Sequence, residues 1–84
     1  MRGTIFAINQ QRGMMAVQTE NADFSVFELL GGDSVELSDE VKWEDDTSLG
    51  STMLTNITQG CTFEVYFQNH WVSKSQLRQQ LLLE

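Results

Sequence analysis

The sequence predicts an all-β fold, a small barrel or sandwich of short strands, and three observations carry that prediction. Runs of β-branched and aromatic residues recur at short intervals, as in Thr4-Ile-Phe-Ala-Ile8 and Cys61-Thr-Phe-Glu-Val-Tyr-Phe-Gln68. Clusters of Gly, Asn, Asp and Ser punctuate these runs, which is turn composition. The size is that of one domain, since 84 residues at 40% hydrophobic content support a single modest core.

The elements follow in chain order. Residues 4–8 are the first expected strand, and a turn holding Gly13 leads to the second at 14–19. Asn21-Ala-Asp23 turns the chain into a third strand at 24–28. Gly31-Gly-Asp33 then breaks the pattern, and a polar connection runs to Asp39. Residues 40–44 alternate cleanly and place Val41 and Trp43 on one face. Residues 45–50 read as a loop, and 52–57 as the fifth strand. Five short strands with such punctuation fit a small barrel or sandwich.

After Gln59-Gly60 the pattern changes. Strict alternation over residues 61–68 puts Phe63, Val65 and Phe67 on one side of an additional strand. Ser73-Lys-Ser-Gln76 matches a capping box, with Ser73 as N-cap and Gln76 at the third helical position. The short helix expected near residues 74–82 places Leu77 and Leu81 on a shared face. A helix that short persists only by docking on something. No proline, repeat or low-complexity segment marks a second domain.

Twelve acids against five bases give a net charge of −7. Ten of the acids fall between Glu20 and Asp46, where Lys42 is the only base. Nucleic acid would meet this stretch as like charge, with few cations to release counterions. The single cysteine, Cys61, cannot form an internal disulfide, and Met1-Arg2-Gly3-Thr4 has no secretory apolar region. A reducing cytoplasm is therefore the expected setting. No run approaches the roughly 20 apolar residues of a membrane span. Cys61 and His70 are the only soft ligands, so neither a metal nor a cofactor is expected.

A family resemblance rests on Gly3-Thr-Ile5, Asn9, Arg12-Gly13, Val17 and Val26-Phe27, then on Asp39-Glu-Val41, Trp43, Gly50 and Asn56-Ile-Thr58. In order and spacing these resemble the landmarks of the cold-shock domain, a five-stranded OB-fold barrel, over roughly residues 3–58. The resemblance implies a cold-shock-like barrel over residues 1–60. Residues 61–84 would then be an extension, a strand plus a short helix, packed on the same domain. It also implies single-strand binding, with bases stacked on exposed aromatics of strands one to three and basic residues holding phosphates. Stacking on such platforms is worth ~1–3 kcal/mol per base.

Most of that platform is replaced here. The family's strand-one Trp becomes Ala7. The phenylalanines of its Lys-Gly-Phe-Gly-Phe motif, which Arg12-Gly13 begins, become Met14 and Ala16, with Met15 between them. Phe27 survives, but the His and Phe that follow become Leu29 and Leu30. A bulge in strand one would bring in Phe6 as a displaced ring. The candidate binding face is therefore Phe6, Ala7, Arg12, Met14, Ala16, Phe27, Leu29 and Leu30. It is aliphatic and sulfur-bearing where the resemblance implies rings, and methionine suits adaptable contacts with protein. Exposed, such a face marks a protein partner or self-association; covered by the C-terminal strand or helix, it is ordinary core.

The expected function is a non-catalytic binding module that engages a protein partner or itself through this face. The alternative is weak single-stranded RNA or DNA binding through Phe6, Phe27, Arg2 and Arg12. Phe63, Val65, Phe67, Trp71, Leu77 and Leu81 form a second candidate surface. They either pack on the barrel or pair with a second copy in a symmetric dimer. No enzyme is expected, because His70 has no acid–base partner near it in sequence. Cys61 reads as a small packed hydrophobe, and Glu44-Asp45-Asp46 as a solvated loop without EF-hand spacing. Asn56-Ile-Thr58 fits a glycosylation sequon but carries no weight without secretion.

Overall fold

The computed structural model describes residues 1–31, 35–44 and 49–81. The break at 31–33, the acidic loop with Asp45 and Asp46, and the helix end at residue 82 therefore lie wholly or partly outside the described residues.

Six strands are described: β1 (Arg2–Asn9), β2 (Met14–Thr19), β3 (Phe24–Leu29), β4 (Glu40–Lys42), β5 (Gly50–Asn56) and β6 (Cys61–Val72). They close a barrel in the order β1-β2-β3-β6-β5-β4, with β4 returning to β1. Every pairing is antiparallel. The result is a small all-β barrel, compatible with an OB-type barrel.

The role of the last strand differs from the expectation. The strand after Gly60 is not an addition to a finished five-strand barrel; β6 is the stave that closes it. Its 12 residues pair with β5 through residues 61–67 and with β3 through residues 65–72. The strand also runs four residues past the predicted end at Gln68, for a reason visible in its register. Val26 pairs with Asn69 and Phe27 with Phe67, so Gln68 is an extra residue. Phe24 pairs with Val72, so His70 and Trp71 together face Ser25. Such bulges break the period of two without ending the strand.

These bulges move β6 from one layer to another. Phe63, Val65 and Phe67 lie in the barrel core with Ile5, Met15, Val17, Phe27, Val35, Val41, Trp43 and Leu54. Beyond the bulges, Val72 joins a second cluster with Ala16, Phe24, Val26, Leu77 and Leu81. On β2 and β3 the alternate residues Met14, Ala16, Phe24 and Val26 belong to this second cluster, with Met14 at its margin, so it lies on the outer side of the sheet. Trp71, exposed where the strand changes layers, has φ +55°. A left-handed conformation at a non-glycine residue costs about 1–2 kcal/mol.

The C-terminal helix is shorter than predicted. A 3-10 turn (Lys74–Gln76) leads into α1 (Leu77–Gln80), one turn of α-helix. The Ser73 N–H donates to Gln76 Oε1 at 3.4 Å, as the capping box requires. Leu77 and Leu81 are both buried against the second cluster, as docking demands.

Candidate functional site

The candidate face of β1–β3 does not form one surface. Ala16 is fully buried, and Ala7 and Met14 are half-buried against the outer cluster that Leu77 and Leu81 complete. Asn9 donates from Nδ2 to the Leu81 carbonyl at 2.7 Å, and Asn69 donates to Gln80 Oε1 at 3.3 Å. Ala7, Met14 and Ala16 of β1 and β2 thus form a seat for the chain's own C-terminal segment. Small side chains at positions 7 and 16 leave room for Leu77 and Leu81. The exposed aliphatic surface expected at these positions is covered.

Phe27 faces the other way. It is fully buried in the barrel, its ring centroid 5.6 Å from that of Phe67. Phe6 is the extra residue of a β1 bulge, since Ile5 pairs with Val17 and Ala7 with Ala16. Its ring is 42% exposed, meets Phe24 edge-on at 4.9 Å, and has Lys74 Nζ 5.7 Å from its centroid. Arg12 is exposed in the β1–β2 turn, and Arg2 is bridged to Glu40 at 3.5 Å. The ring and two cations named for nucleic acid are therefore dispersed, and Phe27 is inside.

The second candidate group divides similarly. Phe63, Val65 and Phe67 fill the barrel, Leu77 and Leu81 the outer cluster, and only Trp71 is exposed, at 63%. β6 has strand neighbours on both sides over residues 65–67; residues 61–64 pair with β5 alone and 68–72 with β3 alone. His70 is buried with its Nδ1 2.7 Å from Ser25 Oγ, and its ring stacks on Phe67 at 4.9 Å. Ser25 is 2% exposed and His70 is 6% exposed, so this pair is walled off from solvent. The hydrogen bond fastens the bulge opposite Ser25.

Leu29 and Leu30 lead to a surface that sequence reasoning did not assemble. Leu29 is half-buried at the end of β3, and Leu30 is 47% exposed. A recess of about 300 Å³ at this barrel mouth is lined by Ile8, Gln10, Gly13, Met15, Leu29, Gly31 and Val35. A shallower depression shares Ile8, Gln10 and Val35 and continues to Glu36 and Leu37. Leu37 stands 60% exposed at its rim.

A buried carboxylate holds Leu37 there. Asp39 Oδ2 accepts from the Glu36 backbone at 2.9 Å, from Asn56 Nδ2 at 2.8 Å and from Gln59 Nε2 at 2.8 Å. The Ile5 amide donates to the Asp39 carbonyl and the Ser38 amide to the Ile5 carbonyl, both at 2.9 Å. Burial pushes the Asp39 pKa up, but the hydrogen bonds from Asn56, Glu36 and Gln59 outweigh it and hold it below the usual carboxylate value. Turn 36–39 is thereby tied to β1 and to the β5–β6 turn. The same network consumes Asn56, fully buried, and Thr58 Oγ1 accepts from the Glu40 amide at 2.8 Å. The sequon is a structural feature.

A polar depression lined by Arg2, Thr4, Gln18, Glu20 and Glu40 adds nothing comparable, since its cation is already paired. Among the described residues no cluster of three or more His, Cys, Asp or Glu could hold a metal ion, and no helix is long and apolar enough to cross a membrane. Cys61 is exposed, not packed as expected, because it opens β6 at the hairpin end. Comparison with protein-family models, curated proteins and solved structures finds no match to this chain.

Proposed function

We propose that this chain is a non-catalytic binding module, a diverged cold-shock-like OB barrel that engages a protein partner, another chain or a second copy, through its barrel mouth. The observation that carries this reading is Leu37: a large apolar side chain, 60% exposed, on a turn fixed by buried Asp39. Holding an apolar group rigidly in water brings the folded chain nothing by itself. It lowers the ordering cost when a partner covers it. Ile8 and Val35 line the depression with it and Leu29 the adjoining recess, and Leu30 follows Leu29 with its side chain exposed. Mouths of β-barrels are common ligand sites.

The net charge supports a protein over a nucleic acid, because −7 repels phosphate. Weak single-strand binding is the second reading, favoured by one observation, the half-exposed ring of Phe6 beneath Lys74.

The test is site-specific photo-cross-linking in the source cell, with the photoreactive residue at position 37 or, as a control, at position 18. A defined protein adduct at 37, absent at 18 and lost on Leu30→Ser, supports the reading. Equal adducts at both positions, or RNA adducts alone, overturn it.

A further inference from the structure

Trp71 combines two features that fold stability does not account for. Its backbone lies in the left-handed region, at φ +55°, where a bulky side chain is strained and glycine is not. Its indole is nonetheless 63% exposed, so little of that strain is offset by burial of the ring. The neighbours gain from the bulge: His70 turns inward to Ser25 and Phe67, and Val72 turns to the outer cluster. Those gains require a bulged residue at position 71, not a tryptophan. The other left-handed positions are small or polar, namely Ala22, Ser38, Gly13, Gly50 and Gly60.

We propose that Trp71 is an anchor residue for a second protein contact, at the barrel end opposite the mouth, inserting its indole into an apolar slot on a basic partner surface. Position follows from register: Trp71 faces Ser25 at the start of β3, whereas the mouth gathers around Leu29 at its end. Tryptophan is the residue type most enriched among binding hot spots, since one rigid ring fills a desolvated pocket. Its edge-on contact with His70, at 6.1 Å between centroids, steadies the ring before contact. The partner's charge follows from complementarity: twelve acids against five bases make a field that steers a basic surface inward.

The test uses the full chain and a phage-displayed library of random dodecapeptides as the probe. The indole N–H signal of Trp71, identified by its loss in Trp71→Gly, reports contact. Enriched peptides should carry Lys or Arg around aromatic or aliphatic residues. They should shift the Trp71 indole signal, and weaken at least tenfold with Trp71→Gly but not with Leu37→Glu. Trp71→Gly should keep the wild-type melting temperature or raise it, so lost binding is not lost folding. Failure of the mouth reading would leave this result intact. The proposal is overturned by three results: no enrichment, enriched peptides that bind Trp71→Gly as well as wild type, or an indole signal moved by single-stranded DNA or protein concentration instead.

Discussion

The Asn9 side-chain amide donates to the carbonyl of Leu81 at 2.7 Å, joining the outer face of β1 to the end of α1. Seventy-two positions separate the two residues, and between them lie Ala7, Met14 and Ala16 with Leu77 and Leu81 seated on them. Leu81 is fully buried. Leu81→Ala should therefore destabilise the protein by roughly 2–5 kcal/mol in a denaturant titration. A loss near that of an exposed leucine would mean the segment does not dock.

Ala16 tests the same contact from the other side. It is fully buried beneath the C-terminal segment. Placing an aromatic there, Ala16→Phe, should overpack the cluster and cost about 1–3 kcal/mol. On an open face the same change would be close to neutral.

Gly3 pairs with Thr19 across β1 and β2, and a Cβ built on it would lie 2.5 Å from the Gln18 carbonyl oxygen and 2.6 Å from Val17 Cγ2. The first of these is backbone and cannot turn aside. Gly3→Ala should force the β1–β2 ladder apart and cost about 1–3 kcal/mol, read as a lowered melting temperature.

Ala22 has φ +67°, in the exposed turn between β2 and β3. Its side chain supports nothing, so Ala22→Gly removes strain. The relief exceeds the entropy that glycine adds to the unfolded chain. Stability should rise by about 0.5–1 kcal/mol, measured by the denaturation midpoint at unchanged slope.

Asp39 gives the pH dependence a sign. Its folded pKa lies below the ordinary value of 3.8. The stability it contributes is therefore present above that value and is lost as pH falls through the folded pKa. Denaturation midpoints between pH 7 and pH 3 should show this acid-side fall, and Asp39→Asn should flatten it. At pH 7 the same substitution should cost about 1–3 kcal/mol, because hydrogen bonds to a charged acceptor are replaced by weaker ones.

Much of the barrel was legible because its strands keep a period of two between turn residues. Val41 and Trp43 share a face as predicted, and Phe63, Val65 and Phe67 share another. Residues 69–72 were not legible as strand, since bulges at Gln68 and Trp71 change which side each residue faces. A single sequence shows this only as a failed alternation. Closure by β6 was hidden for a different reason: pairing partners are long-range, and nothing local announces that β3 and β5 flank one strand. The capping box was read correctly, but the helix it opens is one 3-10 turn and one α turn. For the binding face, residue types were legible and burial was not. The mouth escaped notice because Ile8, Leu29, Val35 and Leu37 come from three separate segments.

The most direct test is an amide-shift titration of labelled protein with mixed-sequence single-stranded DNA at low salt. The closed outer face predicts that the amides of Ala7, Met14, Ala16 and Val26 stay in place at high oligonucleotide concentration, with Leu77 and Leu81 unmoved. Salt-sensitive shifts at those four residues, with the Leu77 and Leu81 signals moving toward those of a free chain, would contradict it. The C-terminal segment would then be a displaceable cover over a working nucleic-acid surface.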